Sequence, residues 1–134
     1  MYQSITPNLM TENVEETVKF YNESLGFATV ATVPNQSTGK LQFAILAKDN
    51  LTLMFQERTS MVGEYQALAT EKTKPCCTIY VKVDNVEALA KELSAKTKII
   101  KDLHKTFYGA TEFAILDNNG YVLTFAQDVC IKAK

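Results

Sequence analysis

Residues 78–89 read TIYVKVDNVEAL. Through Val83 the side chains alternate. Ile79, Val81 and Val83 fall on one side, and Thr78, Tyr80 and Lys82 on the other, the period of a β-strand. Asn85 is then a favoured helix N-cap, and Val86, Leu89, Ala90 and Leu93 recur on one helical face. A strand therefore runs straight into a capped helix. The same order occurs earlier, in TPNLMTENVEET from Thr6 to Thr17.

The two passes align by subtraction. Thr6 to Thr78, Asn13 to Asn85 and Leu51-Thr52-Leu53 to Leu123-Thr124-Phe125 are each 72 residues apart, and Phe43–Leu46 to Phe113–Leu116 is 70. The first pass predicts a strand over 4–10 and a helix capped by Asn13, with Glu16 completing a capping box. Gly26 stops that helix. Strands at 27–33, 41–46 and 51–56 follow, with turns at 34–39 and 49–50. The second pass predicts strands at 77–83, 98–100, 111–116 and 121–126, the last two joined by an Asn119-Gly120 hairpin turn, since both positions tolerate positive φ. Residues 58–76 form the joint, with a short helix expected around 63–70 and Pro75 ending it. The reading is α+β: one domain over 1–134 made of two β-α-β-β-β modules, 1–57 and 77–134, linked by 58–76. One helix covers only one face of a four-stranded sheet, so the bare faces are expected to form curved, cleft-enclosing mixed sheets.

Composition narrows the function. A chain of 134 residues with 46% apolar and 22% charged residues suits one compact domain. A net charge of −1 and no blocks of like charge argue against nucleic acid or an anionic membrane as partner. No apolar run reaches the ~20 residues that span a bilayer, and the N-terminus has no signal-peptide pattern. Three cysteines, Cys76, Cys77 and Cys130, fit a reducing, cytoplasmic setting and are expected as buried small hydrophobes.

Alternation also separates a strongly apolar face from a mixed one on four strands. Ile5, Leu9, Leu51, Leu53, Phe55, Ile79, Val81, Leu123 and Phe125 should lie under the helices. Thr6, Asn8, Thr52, Met54, Gln56, Thr78, Tyr80, Lys82 and Thr124 share the other side. A face of hydroxyls, amides, one aromatic and one lysine suits the lining of a wet ligand pocket.

The stretch NVEETVKFYNESLGF at 13–27 and YGATEFAILDNNGYVLTF at 108–125, set in paired modules, resemble the vicinal oxygen chelate superfamily: glyoxalases, bleomycin-resistance proteins, fosfomycin-resistance enzymes and ring-cleaving dioxygenases. The resemblance implies a homodimer with a ligand cleft. Enzymatic relatives hold a divalent metal there, through His, Glu or Gln on the first and last strand of each module. Those positions here are Thr6, Thr52, Thr78 and Thr124. Four neutral hydroxyls give a dication no charge, so no metal and no cofactor is expected. In this the chain looks more like the bleomycin-resistance branch.

Other candidates are few. His104 is the only histidine. It reads as a surface or rim residue, which excludes multi-histidine metal sites. Glu112 reads as a rim glutamate or a general base. Glu12 and Glu57 read as solvated. Phe107 and Tyr108 can stack on a planar ligand. The expected function is capture of a small molecule, such as an antibiotic or aromatic metabolite, without metal chemistry. The alternative is a metal-dependent lyase, isomerase or dioxygenase recruiting His104, Glu112 or Gln56. A third reading is a dimeric module with no present ligand.

Overall fold

A computed structural model describes residues 1–128. Cys130, Lys132 and Lys134 lie outside them. The chain divides into two compact units, Met1–Pro75 and Cys76–Lys134. Of the segment read as a joint, all but Cys76 belongs to the first.

The first unit runs β1 (Asn8–Thr11), α1 (Val14–Leu25), β2 (Ala28–Pro34), β3 (Leu41–Lys48), β4 (Leu51–Glu57), α2 (Arg58–Glu64) and a 3-10 turn at Gln66–Leu68. Its sheet has the order β1-β4-β3-β2, with β1 parallel to β4 and the other pairs antiparallel. The second unit runs β5 (Thr78–Lys82), α3 (Val86–Ser94), β6 (Lys98–Lys105), β7 (Ala110–Leu116) and β8 (Val122–Asp128). Its sheet has the order β5-β8-β7-β6, with β5 parallel to β8. Both repeats of β-α-β-β-β are therefore present. Among the described residues, no helix is long and apolar enough to cross a membrane.

The caps act as the sequence predicts, with one change. Asn13 Oδ1 accepts from the Glu16 amide at 2.9 Å, and Asn85 Oδ1 from the Ala88 amide at 3.1 Å. The second half of the Asn13 capping box is replaced. The Asn13 N–H is taken by Thr11 Oγ1 at 3.2 Å, so a strand residue caps in place of Glu16. Gly26 has φ 77°, the left-handed geometry that favours glycine.

Each helix buries its apolar stripe on its own sheet. In the first unit Tyr21 is the hub. It meets Phe27 edge-on at 5.5 Å and tilts against Phe55 at 5.0 Å, with Val14, Leu46 and Leu53 also in the core. In the second, Phe113 and Phe125 stack at 5.2 Å above Leu93, Val86, Ile115 and Leu123. Ile5 and Leu51, expected on the core side, are exposed. Ile5 lies before the first strand, and Leu51 opens β4 at the turn.

Other expectations are corrected. The first strand begins at Asn8, so Thr6 precedes it. Pro7 offers the ladder no N–H, although its carbonyl accepts the Met54 amide at 3.0 Å. The helix expected around 63–70 starts instead at Arg58, because Glu57 caps it, accepting from the Thr59 and Ser60 amides at 3.1 Å each. Glu12 is not merely solvated either. It accepts from Arg58 Nε at 2.8 Å, from the Thr73 amide at 2.8 Å and from Thr73 Oγ1 at 2.6 Å. These bonds, from Thr73 first and Arg58 next, hold its carboxyl below the usual range. In the hairpin at 117–121 only Gly120 has positive φ. Asp117 Oδ1 takes the amides of Asn119 at 2.8 Å and Tyr121 at 2.9 Å, so an aspartate-led turn replaces a two-residue loop. Cys76 and Cys77 are exposed, not core, because they lie in the irregular stretch before β5.

Candidate functional site

Register decides which side chains share a face. In the second sheet Tyr80 lies beside Thr124, and Thr124 beside Ala114. Lys82 lies beside Ala126, Ala126 beside Glu112, and Glu112 beside His104. One face thus carries Tyr80, Lys82, Thr124, Glu112 and His104. Thr78 is on the same face, opposite Val122. The other face meets α3.

Glu112 is the centre of this face. It is 6% exposed, yet its carboxylate points among polar groups. The Tyr80 hydroxyl donates to its Oε2 at 2.7 Å, and the Tyr108 hydroxyl donates to the same oxygen. Burial alone would push this carboxyl up. The bonds from Tyr108 and Tyr80, with His104 and Lys101 nearby, outweigh it and hold the carboxyl below its usual range. The same bonds to Glu112, then burial, push both phenols up. The rings remain accessible, Tyr80 at 48% and Tyr108 at 58%. Phe107, at 99%, meets Tyr108 edge-on at 5.1 Å. The arrangement is an ionised carboxylate in an aromatic rim. Lys82, close by in sequence, ion-pairs with Asp128 at 2.8 Å with both side chains solvated.

The first unit gathers its expected residues differently. Asn8, Met54 and Gln56 share one face with Thr52. There Gln56 is buried and fully engaged. Its Oε1 accepts from Asn8 Nδ2 at 2.8 Å, and its Nε2 donates to Ser60 Oγ at 2.9 Å and Glu64 Oε1 at 3.0 Å. Ser60 and Glu64 were absent from the sequence reading. Their steps of four and eight from Gln56, once a helix at 58 is recognised, were the signal that could find them. Asp128, the partner of Lys82, carried no such signal.

The metal question can be tested on these residues. The positions that the resemblance assigns to ligands hold Thr52 on β4, Thr78 on β5, Thr124 on β8, and Thr6 before β1. Among the described residues, no three His, Cys, Asp or Glu side chains stand together as a metal set. Neutral hydroxyls and a single carboxylate already holding two phenols do not fit a divalent cation. His104 stands beside Glu112 in register, but its Nδ1 faces the Asp102 carbonyl at 2.8 Å.

An open depression of about 430 Å³ lies at the start of α3, among Asp84, Glu87, Lys105, Thr111 and Gln127. Its helix amides are already answered: Val86 N–H by Gln127 Oε1 at 2.9 Å, Ala88 N–H by Asn85. Thr111 and Gln127 belong to the helix-bearing side of the sheet, away from Glu112.

Comparison with known proteins bears on the whole chain. No curated protein sequence matches it. Among solved structures, a glyoxalase/bleomycin resistance protein/dioxygenase from Nocardioides is 16% identical with a TM-score of 0.78, over 98% of this chain and 87% of that one. TioX from Micromonospora sp. ML1 is 17% identical with a TM-score of 0.75, over 96% and 100%. A family enzyme from Burkholderia phytofirmans PsJN is 19% identical with a TM-score of 0.72, over 92% and 97%. These likenesses show the fold. The sequence profile of one family matches residues 4–125, nearly the full length, and so the chain belongs to the Glyoxalase/Bleomycin resistance protein/Dioxygenase superfamily.

Proposed function

We propose that this protein is a small-molecule-binding member of the superfamily that captures a planar ligand without metal chemistry. The observation that carries this reading is Glu112: a carboxylate buried on the sheet face away from α3, held by two phenols that stay accessible. A purely structural glutamate would be expected to pair with a cation or with backbone amides. This one orients two aromatic side chains instead, and with Phe107 they form a surface on which a flat molecule can stack. Thr78, Thr124 and Lys82 extend the face with polar contacts. Asn8, Thr52, Met54 and Gln56 belong to the other unit's face, where the amides are occupied with one another, and Thr6 lies before that unit's first strand. A homodimer and a cytoplasmic location, as in the sequence reading, remain part of the proposal.

The test is a thermal-shift screen with planar antibiotics and aromatic metabolites. A ligand that binds only the folded state should add roughly 2.7 kcal/mol at 100 times its Kd, and the gain should fall in a Tyr108→Ala variant. Metal analysis of protein purified without chelator provides the contrary outcome. A stoichiometric transition metal that is lost on Glu112→Gln would overturn the binding reading.

A further inference from the structure

The hydrogen bonds at Glu112 fix the polarity of what can bind beside it. A phenol has one hydroxyl hydrogen, and an ionised carboxylate only accepts. Tyr80 and Tyr108 both direct that hydrogen at Glu112 Oε2. That oxygen is thereby saturated. Among the described residues no group hydrogen-bonds Oε1, and it is not a sealed, unpartnered atom, so it keeps contact with solvent. What the three side chains still offer is the lone pairs of Oε1. They offer no donor.

The basic side chains nearby do not reverse this. His104 faces the Asp102 carbonyl, Lys82 is held by Asp128, and no ion pair joins Lys101 to Glu112. Of these, His104 and Lys101 favour the ionised carboxylate from a distance. An anion placed over Oε1 would meet like charge, and a ligand with only acceptors would leave that oxygen desolvated and unpaired, which costs more than the contact returns.

We infer that the ligand of this face is a planar molecule carrying N–H donors, of the amidine, guanidine or amino-heteroaromatic class, whose donors meet Glu112 Oε1 while its ring lies against Tyr80, Tyr108 and Phe107. The inference rests on the binding reading above and adds the chemical class.

Three shape-matched probes test it on the full chain by NMR titration: benzamidine, benzoate and neutral benzyl alcohol. Benzamidine should shift the amides of Tyr80, Tyr108 and Glu112 and bind roughly tenfold or more tighter than benzoate, the worth of one charged hydrogen bond. Glu112→Gln should remove that preference. Tyr80→Phe, which keeps the ring and the carboxylate, should weaken benzamidine less and serves if the glutamine variant does not fold. Benzoate binding as well as benzamidine, or a preference unchanged in both variants, overturns the ligand class. If benzyl alcohol alone shifts these amides, the binding reading survives and this inference falls. If none of the three shifts them, both fall.

Discussion

The two units have the same element order and differ in where they put their polar group. Asn8 and Tyr80 stand 72 residues apart, Asn8 at the start of β1 and Tyr80 in the middle of β5, each on a strand parallel to its neighbour. Asn8 lies beside Met54, whereas Tyr80 lies beside Thr124, two residues short of Met54's counterpart Ala126 by the same offset. With that slide, Phe43 opposite Gln56 in the first sheet takes the place of Glu112 opposite Ala126 in the second. The first unit has an aromatic on the inner strand and a buried amide on its neighbour. The second has a buried carboxylate on the inner strand and an alanine on its neighbour. Gln56 is closed off by Asn8, Ser60 and Glu64, while among the described residues the hydrogen-bond partners of Glu112 are two tyrosines, both on one oxygen. Duplication constrains the apolar face, which must fit a helix. The opposite face is free to differ, a closed amide network in one copy and, on the proposed function, a ligand surface in the other.

The broadest way to break this comparison is through the two cores. Tyr21→Ala and Phe113→Ala should each cost about 3–5 kcal/mol, read by urea unfolding. A loss well under 1 kcal/mol in either would mean that the unit does not rest on its aromatic cluster. Next is the closed face. Gln56→Leu leaves Asn8, Ser60 and Glu64 without their partner and should cost about 1–3 kcal/mol in the same assay. If the loss is absent, the amide is not a lock.

The open face is sharpened by titration. Ultraviolet pH titration of Glu112→Gln should show two phenols ionising at lower pH than in the parent, because the carboxylate that opposes phenolate formation is gone. An unchanged curve would dissolve the Tyr80–Glu112–Tyr108 cluster. The smallest effects are at the surface. Lys82→Ala should change stability by less than about 1 kcal/mol. Glu12→Gln should be similarly mild, a destabilisation whose size depends on pH. The folded carboxyl is depressed, so its contribution is present above the unfolded value of about 4.3. That contribution disappears as pH falls through the folded pKa. Parent and variant should then converge in acid, and a gap that widens there would contradict the Glu12 contacts.

The sequence made the repeat, the caps at Asn13 and Asn85 and the helix stop at Gly26 readable, because each depends on neighbours a few residues away. Register was harder to read. The tetrapeptide Phe-Ala-Ile-Leu occurs in β3 and in β7, and identity suggests equivalence. In β3 Ala44 and Leu46 face the core, whereas in β7 Phe113 and Ile115 do. A one-residue slip reverses every side chain, and cross-strand pairing decides it, not the tetrapeptide. The alternation of β5 and β8 did place Tyr80 and Thr124 on one face. It could not show that Tyr108, in a turn, reaches back to Glu112, nor that Gln56 would be sealed by a helix starting at Arg58. Both depend on contacts made only after the chain folds back.

The paired phenols have a practical side. The chain has six tyrosines and no tryptophan, so no indole masks their emission. A tyrosine whose proton leans on a carboxylate loses it readily in the excited state and fluoresces weakly. Two of the six are held that way here. Anything that settles on Glu112 and loosens those protons should brighten the protein, which carries its own unlabelled optical gauge of occupancy.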